Sequence, residues 1–431
     1  MIHLGLGNFF RAHQAWYTAR ASDAEEWRIA AFAGRGSDLA ARLDAQGGLY
    51  TLITRGRTDE FEIVPAISRA HRATDHSAWQ TYLAEPMVGV VSLTVTEAGY
   101  TRNAEGGLDH SDPSVRADLA ALGTEVDSPG APAVAPQGGG VAAPGPPGAG
   151  GPIGGVRGHN LPVTGPALKR VVLEFAGYVA PDLAMWIESS VSFVTSVVDR
   201  ITPAGGGEDS LLAESVTGYH DAAPVVTEPY HEWVLCGEFP AGRPRWETAG
   251  AVFTRNIAAY EQRKLWMLNG AHSLLAYTAP LRGHRTVASA VADPVCRAWV
   301  EQWWSEVTPH IDLPAGEVHR YRTELMSRFA NHRIQHHLSQ IARDGAQKLP
   351  VRILPVLRRE RAAGRIPAGA VRALAGWACH IAARGTGLSD VRAAVRPDVR
   401  AALSGLDPAL GADSELAAAV VREAENLCGR V

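Results

Sequence analysis

Lysine is scarce in this chain, in which arginine supplies nearly all of the 41 basic side chains. The three lysines are Lys169, Lys264 and Lys348. Such a bias indicates a GC-rich genome in which arginine codons dominate. A lysine in such a sequence is less readily explained by drift, so each of the three is a candidate for a specific role.

Cysteine is also sparse, and its spacing excludes the common metal motifs. The four cysteines form neither a CxxC pair nor a metal-ligand spacing, and they are Cys236, Cys296, Cys379 and Cys428. We therefore expect no metal site. We also expect reduced thiols, as in a cytoplasmic protein.

Long apolar runs and an excess of one charge are missing as well. No stretch approaches the ~18 apolar residues of a membrane span. The strand-like start MIHLGLG leaves no room for a signal peptide, so we expect a cytoplasmic protein. A net charge of −4 gives no reason to expect a nucleic acid or a membrane as partner. With 431 residues, 46% of them hydrophobic, the chain has room for two or three domains.

The first residues have the pattern of a nucleotide-binding turn. A short strand at 2–6 runs into two glycines, and a helix follows. Glycines let the backbone approach a pyrophosphate, which the N-terminus of the helix faces. The third glycine of the dinucleotide fingerprint is replaced by a phenylalanine, so an ordinary turn between strand and helix also fits. The candidate cofactor-binding residues here are Gly5, Gly7, Asn8 and Phe10.

Two later strands add candidate cofactor contacts at their carboxyl ends. After the second predicted strand, Arg35 suits the 2′-phosphate of NADP and Asp38 suits a ribose, which leaves NAD and NADP both open. The β-branched run VGVVSLTVT at 88–96 predicts a central parallel strand. Thr96 and Glu97 lie at its end, where ligands bind in such sheets.

The composition changes abruptly between residues 129 and 157. This stretch is mostly Gly, Pro and Ala, so we predict neither a helix nor a buried strand in it. A segment of ~30 residues without structure is unusual inside a domain. A flexible insertion or a local frame change over codons 124 to 158 would explain it, and resequencing of the gene tests the second hypothesis.

Hydrophobic periodicity divides the chain into two predicted domains. Residues 1–250 alternate strands and helices, which predicts an α/β Rossmann-like domain that binds a dinucleotide. Residues 251–431 are helical almost to the end, with Pro and Gly between the segments, and one predicted helix spans 333–344. We expect this mostly α-helical domain to carry the substrate site and the catalytic residues.

One stretch of the helical half, KLWMLNGAHS at 264–273, combines a lysine, an asparagine and a histidine. On an α-helix of about 100° per residue, Asn269 lies about 140° and His272 about 80° from Lys264, so the three can face one cleft. Apolar neighbours desolvate a lysine and lower its pKa toward the range of a general base. The simpler interpretation is a surface lysine, a capping asparagine and a core histidine.

Several motifs together resemble the polyol-specific long-chain dehydrogenase/reductase family, also known as the mannitol dehydrogenase family. They are HLGLGNFFRAHQAWY at 3–17, VSLTVTEAGY at 91–100, VVDRITP at 197–203, EPYHEWVLCGEFPAGRPRWE at 228–247 and KLWMLNGAHSLLAY at 264–277. The resemblance covers nearly the whole chain except 124–157. RFANHRIQHHLSQIARDGAQKLP at 328–350 is similar to the uronate-reductase branch, in particular to fructuronate reductase (D-mannonate oxidoreductase).

This resemblance implies catalytic roles. Lys264 matches the family's general base, and Asn269 and His272 match residues that hold the reacting oxygen. Asn160 matches the asparagine of the S-C-D-N-L-P motif, although a histidine precedes it here instead of an aspartate. Glu261, one helical turn before Lys264, passes the proton to solvent or only pairs with the lysine. No metal is implied.

The resemblance also implies substrate-binding residues. Asp199 matches a pocket aspartate, and the alternative is an ion pair with Arg200. Arg328 and His336 match substrate-binding positions, where an arginine holds a carboxylate through two hydrogen bonds, and the alternative is a helix-packing ion pair. Lys348 is a second carboxylate contact or a solvated charge at a helix end.

Together these roles predict an NAD-dependent oxidoreductase, with NADP not excluded, that interconverts D-fructuronate and D-mannonate by hydride transfer without a metal. The first alternative is a mannitol 2-dehydrogenase or arabinitol dehydrogenase that acts on neutral polyols. The second is an inactive relative, because a disrupted 124–158 segment removes the strand before Asn160. We expect a small sugar acid or polyol as partner, and a monomer or homodimer.

Overall fold

The computed structural model of the chain describes residues 1–34, 38–94, 101–103, 105–123, 153–157, 164–385 and 398–428. The chain divides into two compact units, Met1–Ala258 and Ala259–Val431. The sequence predicts this division slightly earlier, after residue 250. An α/β unit comes first and a helical unit follows, so the predicted fold class is confirmed.

The described part of the first unit contains eleven strands in two sheets. They are β1 (Ile2–Leu4), β2 (Ile29–Ala33), β3 (Tyr50–Arg55), β4 (Asp59–Val64), β5 (Ile67–Arg72), β6 (Val90–Leu93), β7 (Ile153–Arg157), β8 (Val191–Asp199), β9 (Val225–Thr227), β10 (Glu232–Cys236) and β11 (Val252–Phe253). The larger sheet has the order β11-β10-β8-β7-β6-β1-β2-β5, and the smaller one has the order β4-β3-β9.

The larger sheet has the topology of a dinucleotide-binding fold. Its six strands from β5 to β8 pair in parallel and follow the Rossmann order 3-2-1-4-5-6. The order reverses between β1 and β6, which is the crevice where such sheets bind ligands. Strand β2, with the sequence IAAFA, is buried at every residue, as expected for a parallel strand covered on both faces.

Helices connect the strands of the first unit. They are α1 (Asn8–Phe10), α2 (Trp16–Arg20), α3 (Leu39–Ala45), α4 (His76–Ala84), α5 (Pro113–Gly123), α6 (Thr164–Val179), α7 (Pro181–Ser190) and α8 (Gly207–Thr217). A π-helical segment, Arg11–Ala15, joins α1 to α2, so one helix runs from Asn8 to Arg20. The core behind it contains Trp233 and Trp246.

Strand β7 corrects the expectation that residues 129–157 contain no strand. Residues 153–157 (IGGVR) pair in parallel with β6 on one side and with β8 on the other. Main-chain pairing on both edges stabilises the strand despite its two glycines, which composition alone disfavours. The sheet position next to β6 is therefore filled, which removes the missing strand as an argument for an inactive relative.

The second unit is built from helices around a buried central one. Helix α9 (Ile257–Arg263) leads into it, followed by α10 (Gly270–Thr278), α11 (Val287–Ala292), α12 (Pro294–Val307), α13 (Ala315–Phe329), α14 (Leu338–Ile341), α15 (Gly345–Arg352), α16 (Leu354–Ala362), α17 (Ala368–Gly385), α18 (Val399–Leu406), α19 (Pro408–Ala412) and α20 (Ser414–Cys428). Every residue of α10 is buried, and the helix packs against α12, α15 and α17.

One expectation for this unit is wrong. The helix predicted over 333–344 is reduced to the short α14, because the preceding segment extends to pair with another loop: Val287 N donates to His336 O, and Leu338 N donates to Arg285 O. The side chains of Cys379 and Cys428 meet through their sulfur atoms, and the reduced state of the thiols stays a prediction. No helix among the described residues has the length and apolar character to span a membrane.

Candidate active site

The turn after β1 is built around a glycine that other residues replace only with strain. Gly5 has a φ of +109°, which L-residues rarely adopt. A Cβ atom there would lie 2.4 Å from the main-chain oxygen of Thr94 on the neighbouring strand end. Gly7 is extended, and among the described residues its Cβ would meet only the Gly5 oxygen, at 3.6 Å. The described part of the turn therefore leaves space at Gly7, in the crevice where the strand order reverses.

The helix that follows offers main-chain donors for an anion. Its first intrahelical bond runs from Arg11 N to Gly7 O at 3.2 Å, so the N–H groups of residues 8–10 have no intrahelical acceptor. The Asn8 side chain is held internally: its Oδ1 accepts from Arg11 Nη2 at 2.8 Å, and its Nδ2 donates to Pro203 O at 3.3 Å. A free helix start next to a glycine turn fits the pyrophosphate of a dinucleotide.

A buried histidine, His3, connects the glycine turn to strand β6 and the residue after it through hydrogen bonds. This role was not identified from the sequence. His3 Nδ1 lies 2.8 Å from Ser92 Oγ, and His3 Nε2 lies 3.0 Å from Thr94 Oγ1. Thr94 Oγ1 in turn donates to Gly5 O at 2.8 Å. The ring stacks on the fully buried Phe10 with 3.5 Å between centroids. Burial lowers the pKa of His3 to about 3, so the ring stays neutral at physiological pH.

The remaining cofactor candidates are only partly described. Asp38 is exposed and precedes α3, just beyond the carboxyl end of β2, and its carboxylate makes no capping hydrogen bond. A carboxylate at this place suits the hydroxyl groups of a ribose. Four candidate residues lie outside the described residues, namely Arg35, Thr96, Glu97 and Asn160.

In the second unit, the lysine segment is a π-helix between α9 and α10. Residues Lys264–Asn269 have π geometry, and Gly270 N donates to Leu265 O, five residues earlier. A π turn has more residues per turn than an α-helix, so Lys264 and Asn269 lie closer to one face than the α-helical angle of about 140° allows. Single π turns of this kind occur frequently at functional sites.

The three side chains that the sequence singled out around this segment are buried. Lys264, Asn269 and His272 are between 7% and 8% exposed. Among the described residues, Asn269 Oδ1 and His272 Nε2 have no hydrogen-bond partner. An unpaired buried polar atom is costly, so a ligand that pairs with it is favoured.

Arg328 and His336 extend the cluster around His272. The ring centroids of His272 and His336 lie 4.8 Å apart, and Phe329 stacks on His272 with 4.7 Å between centroids. Burial, followed by the charges of His336 and Arg328, holds the pKa of His272 well below its usual value. Burial and Arg328 lower the pKa of His336 to about 4. Both rings are therefore neutral, and His336 Nδ1 is a further buried atom without a partner among the described residues.

Other candidate residues have different surroundings. Glu261 is buried on α9, one turn before the lysine. Lys348 donates to the main-chain oxygens of Ile341 at 3.3 Å and Arg343 at 2.6 Å, as a charge near a helix end does. Asp199 belongs to the first unit, buried at the end of β8.

One neighbour of the cluster was missed by the sequence analysis. Arg352, at the end of α15, donates from Nη1 to Ser273 Oγ at 3.3 Å, and its charge contributes to the low pKa of His272. The signal available in the sequence was only an arginine four residues after Lys348. Tertiary packing is what brings it beside the 264–273 segment.

Comparison with known families decides the assignment. Residues 1–137 and 156–248 match the mannitol dehydrogenase Rossmann domain, and residues 256–390 match the mannitol dehydrogenase C-terminal domain. The chain belongs to the mannitol dehydrogenase family. It is an oxidoreductase that acts on CH–OH groups with NAD or NADP. The match leaves out 138–155, within the Gly/Pro/Ala-rich segment.

Individual members of the mannitol dehydrogenase family are similar over most of their length. D-mannonate oxidoreductase of Escherichia coli (strain K12) is 35% identical over 394 residues, which are 88% of this chain and 79% of that protein. Mannitol 2-dehydrogenase of Cereibacter sphaeroides is 34% identical over 400 residues, 88% of this chain and 80% of that protein. The solved Pseudomonas fluorescens mannitol 2-dehydrogenase ternary complex with NAD and D-mannitol is 30% identical, with a TM-score of 0.78 over 99% of this chain and 91% of that one.

Proposed function

We propose that this protein is an NAD-dependent oxidoreductase that interconverts D-fructuronate and D-mannonate with Lys264 as general acid and base. The observation that carries the proposal is the cluster of buried polar atoms on Asn269, His272 and His336 around the lysine segment, which have no partner among the described residues. These atoms suit the hydroxyl groups of a sugar. We propose that the first unit binds the cofactor through Gly5, Gly7 and the following helix start.

In the oxidative direction, the neutral amine of Lys264 takes the proton of the substrate hydroxyl. His272, neutral because of its burial, donates from its unpaired Nε2 to the oxygen as negative charge develops there. Asn269 Oδ1 accepts a hydrogen bond from a neighbouring hydroxyl. A bound nicotinamide supplies the hydride acceptor. In reduction, Lys264 returns the proton, and Glu261 is proposed to exchange it with solvent.

A sugar acid is proposed because of the cation next to the histidine pair. Arg328 is buried on α13, and its charge acts on both His272 and His336. A buried guanidinium suits a carboxylate, which accepts two charge-assisted hydrogen bonds from it. The 35% identity to D-mannonate oxidoreductase supports the same class of substrate. We propose Lys348 and Asp199 as further contacts.

A neutral polyol is the second candidate. It is supported by the 34% identity to a mannitol 2-dehydrogenase and by the similarity to the complex that contains D-mannitol. NADP also stays a candidate cofactor, since a polyol:NADP oxidoreductase of Gluconobacter oxydans is 31% identical. Asp38 favours NAD, because a carboxylate beside the ribose repels a 2′-phosphate.

The test is a substrate panel with a lysine variant. D-fructuronate, D-fructose, D-mannonate and D-mannitol are assayed with NAD(H) and NADP(H). Lys264→Ala is expected to lower kcat by about 10²- to 10⁴-fold, the usual contribution of a general acid or base. Lys169→Ala is the matched control, because Lys169 is 41% exposed and pairs only weakly with Glu188 at 3.6 Å.

The outcomes separate the candidates. Faster reduction of D-fructuronate than of D-fructose supports the sugar acid, and the reverse order supports a polyol dehydrogenase. Unchanged activity of folded Lys264→Ala overturns the role of the lysine. Light scattering of the same preparation decides between the proposed monomer and homodimer.

A further inference from the structure

Two adjacent tryptophans of α12 donate hydrogen bonds to the main chain of the π segment. Trp303 Nε1 donates to Trp266 O at 2.8 Å, and Trp304 Nε1 donates to Met267 O at 3.0 Å. Both tryptophans are completely buried. Their acceptors lie in the middle of Lys264–Asn269, between the proposed base and the asparagine. The two indoles therefore contact the part of the backbone that sets the register of the proposed catalytic side chains.

The π geometry explains why Trp266 O needs a donor. In an α-helix, this oxygen accepts from the N–H of Gly270, four residues later. Here Gly270 N donates to Leu265 O and Met267 O instead. Trp303 supplies a donor to the oxygen that loses its α-helical partner. A buried carbonyl without any donor is costly, so the indole favours the π register over a return to the α-helix.

The glycine of the segment admits the indole. A Cβ atom on Gly270 would lie 2.7 Å from Trp303 Nε1 and 2.9 Å from its Cζ2. Any other residue at this position would push the indole away from the helix. The glycine thus has a specific role here: it lets α12 approach the backbone closely enough to donate.

Trp304 is also linked to His272 through one aromatic neighbour. Its ring lies 5.9 Å from Phe329, which in turn stacks on His272 at 4.7 Å. The same helix α12 therefore contacts the lysine segment through hydrogen bonds and the histidine through an aromatic neighbour.

We propose that Trp303 and Trp304 are positioning residues that hold Lys264–Asn269 in the π register, so that Lys264 and Asn269 face the same substrate. The proposal rests on the proposed function, in which these two side chains act on the substrate. The tryptophans do not touch the substrate themselves. They act by bonding to the main chain.

The first experiment removes only the indole N–H groups. Trp303→Phe and Trp304→Phe keep an aromatic ring at each place, and Trp299→Phe is the control, since this half-buried tryptophan of the same helix lies under Arg372 and Arg282 instead. For the combined Trp303→Phe/Trp304→Phe protein we expect kcat to fall up to about 100-fold, the effect of an error of about 1 Å in position. The cofactor KM stays within twofold, and Trp299→Phe behaves as wild type.

The pH profile distinguishes positioning from mere stability. Loss of the register changes the surroundings of Lys264, so the pH at which kcat reaches half its maximum moves in the double variant but not in Trp299→Phe. A purely structural role lowers the melting temperature and leaves both kcat and this pH unchanged below it. That result would overturn the proposal.

A double-mutant cycle tests the role of Gly270. Gly270→Ala alone is expected to lower kcat, because its methyl group displaces the Trp303 indole. In a Trp303→Phe background, the ring no longer has the atoms nearest to that methyl group, so the additional loss is smaller. Additive losses contradict the shared contact.

A crystal structure of the double variant tests the role of the tryptophans independently of the proposed function. If the wild-type protein reduces no sugar acid or ketose, the proposed function fails, whereas the register is still visible. An α-helical 264–269 segment in the double variant supports the inference, and a retained bond from Gly270 N to Leu265 O refutes it.

Discussion

An alanine at Gly5 is expected to destabilise the fold, whereas an alanine at Gly7 is expected to weaken cofactor binding alone. The two glycines stand in one turn but differ in backbone conformation. Gly5 has a φ of +109°, and Gly7 is extended. The same chemical change therefore has a different cost at each position, and the pair separates stability from binding.

The magnitudes follow from the contacts of the added methyl group. At Gly5 it meets Thr94 O at 2.4 Å and Thr94 Oγ1 at 2.7 Å, so the turn or the end of β6 has to move. A strained backbone conformation costs about 1–3 kcal/mol, and overpacking costs about 1–3 kcal/mol more. The expected loss of about 2–6 kcal/mol is a large part of the stability of a domain. At Gly7 the nearest atom is Gly5 O at 3.6 Å, an ordinary contact, so the loss stays below about 1 kcal/mol.

Two assays measure the two effects. Urea unfolding followed by tryptophan fluorescence reports the free energy of unfolding, and calorimetric titration with NADH and NADPH reports the cofactor Kd. Gly7→Ala is expected to unfold at the wild-type urea concentration and to bind cofactor about tenfold more weakly, or 1.4 kcal/mol, because its methyl group stands where the backbone approaches the pyrophosphate. Wild-type stability of Gly5→Ala, or wild-type affinity of Gly7→Ala, would refute the reasoning.

Two further predictions concern substrate specificity and the pH dependence of stability. Arg328→Met is expected to raise the KM for D-fructuronate by about tenfold or more, since a hydrogen bond to a charged group contributes about 1.5–3 kcal/mol, while the KM for D-fructose changes little. Equal changes for both substrates in initial-rate assays contradict a carboxylate contact. Burial and Arg200 lower the pKa of His231 to about 4. Between about pH 6.5 and pH 4 the unfolded chain therefore binds a proton at this histidine that the folded chain does not. The contribution of His231 to the free energy of unfolding is fully present above about pH 6.5 and is lost as the pH falls toward 4. In His231→Gln, the urea midpoint of unfolding is expected to fall less between pH 7.5 and pH 5 than in the wild type. An equal fall in both proteins contradicts the role of His231.

Local patterns predicted much of the fold. The strand, glycine turn and helix at the N-terminus, and the β-branched run that contains β6, are visible because parallel strands are buried on both faces and need apolar residues. Strand β7 was missed because its pairing partners stabilise it, and its own glycines give no signal. The prediction of a helix over 333–344 was wrong for a similar reason, since main-chain pairing with residues 285–287 overrides helix propensity.

The candidate site was predictable only where its residues are close in sequence. Lys264, Asn269 and His272 form one motif, but their mutual angle depends on π geometry that spacing does not show. The bonds from Trp303 and Trp304, and the contact from Arg352, come from other helices. Hydrophobic periodicity predicts single helices and strands but not contacts between distant elements. These residues could therefore be identified only from the folded structure.

The π turn also makes one stretch of the sequence tolerant of a change in length. A ring closed between residues five apart holds one residue more than an α-helical ring, so helix α10 is entered with a surplus residue. Deleting one residue between Lys264 and Asn269 would return the segment to an uninterrupted α-helix, with α10 still in its place in the core. The two side chains would then be four residues apart and about 40° from each other, so they would still share one face. A homologue with a one-residue gap at this point would therefore keep both the fold and the common face of these two side chains.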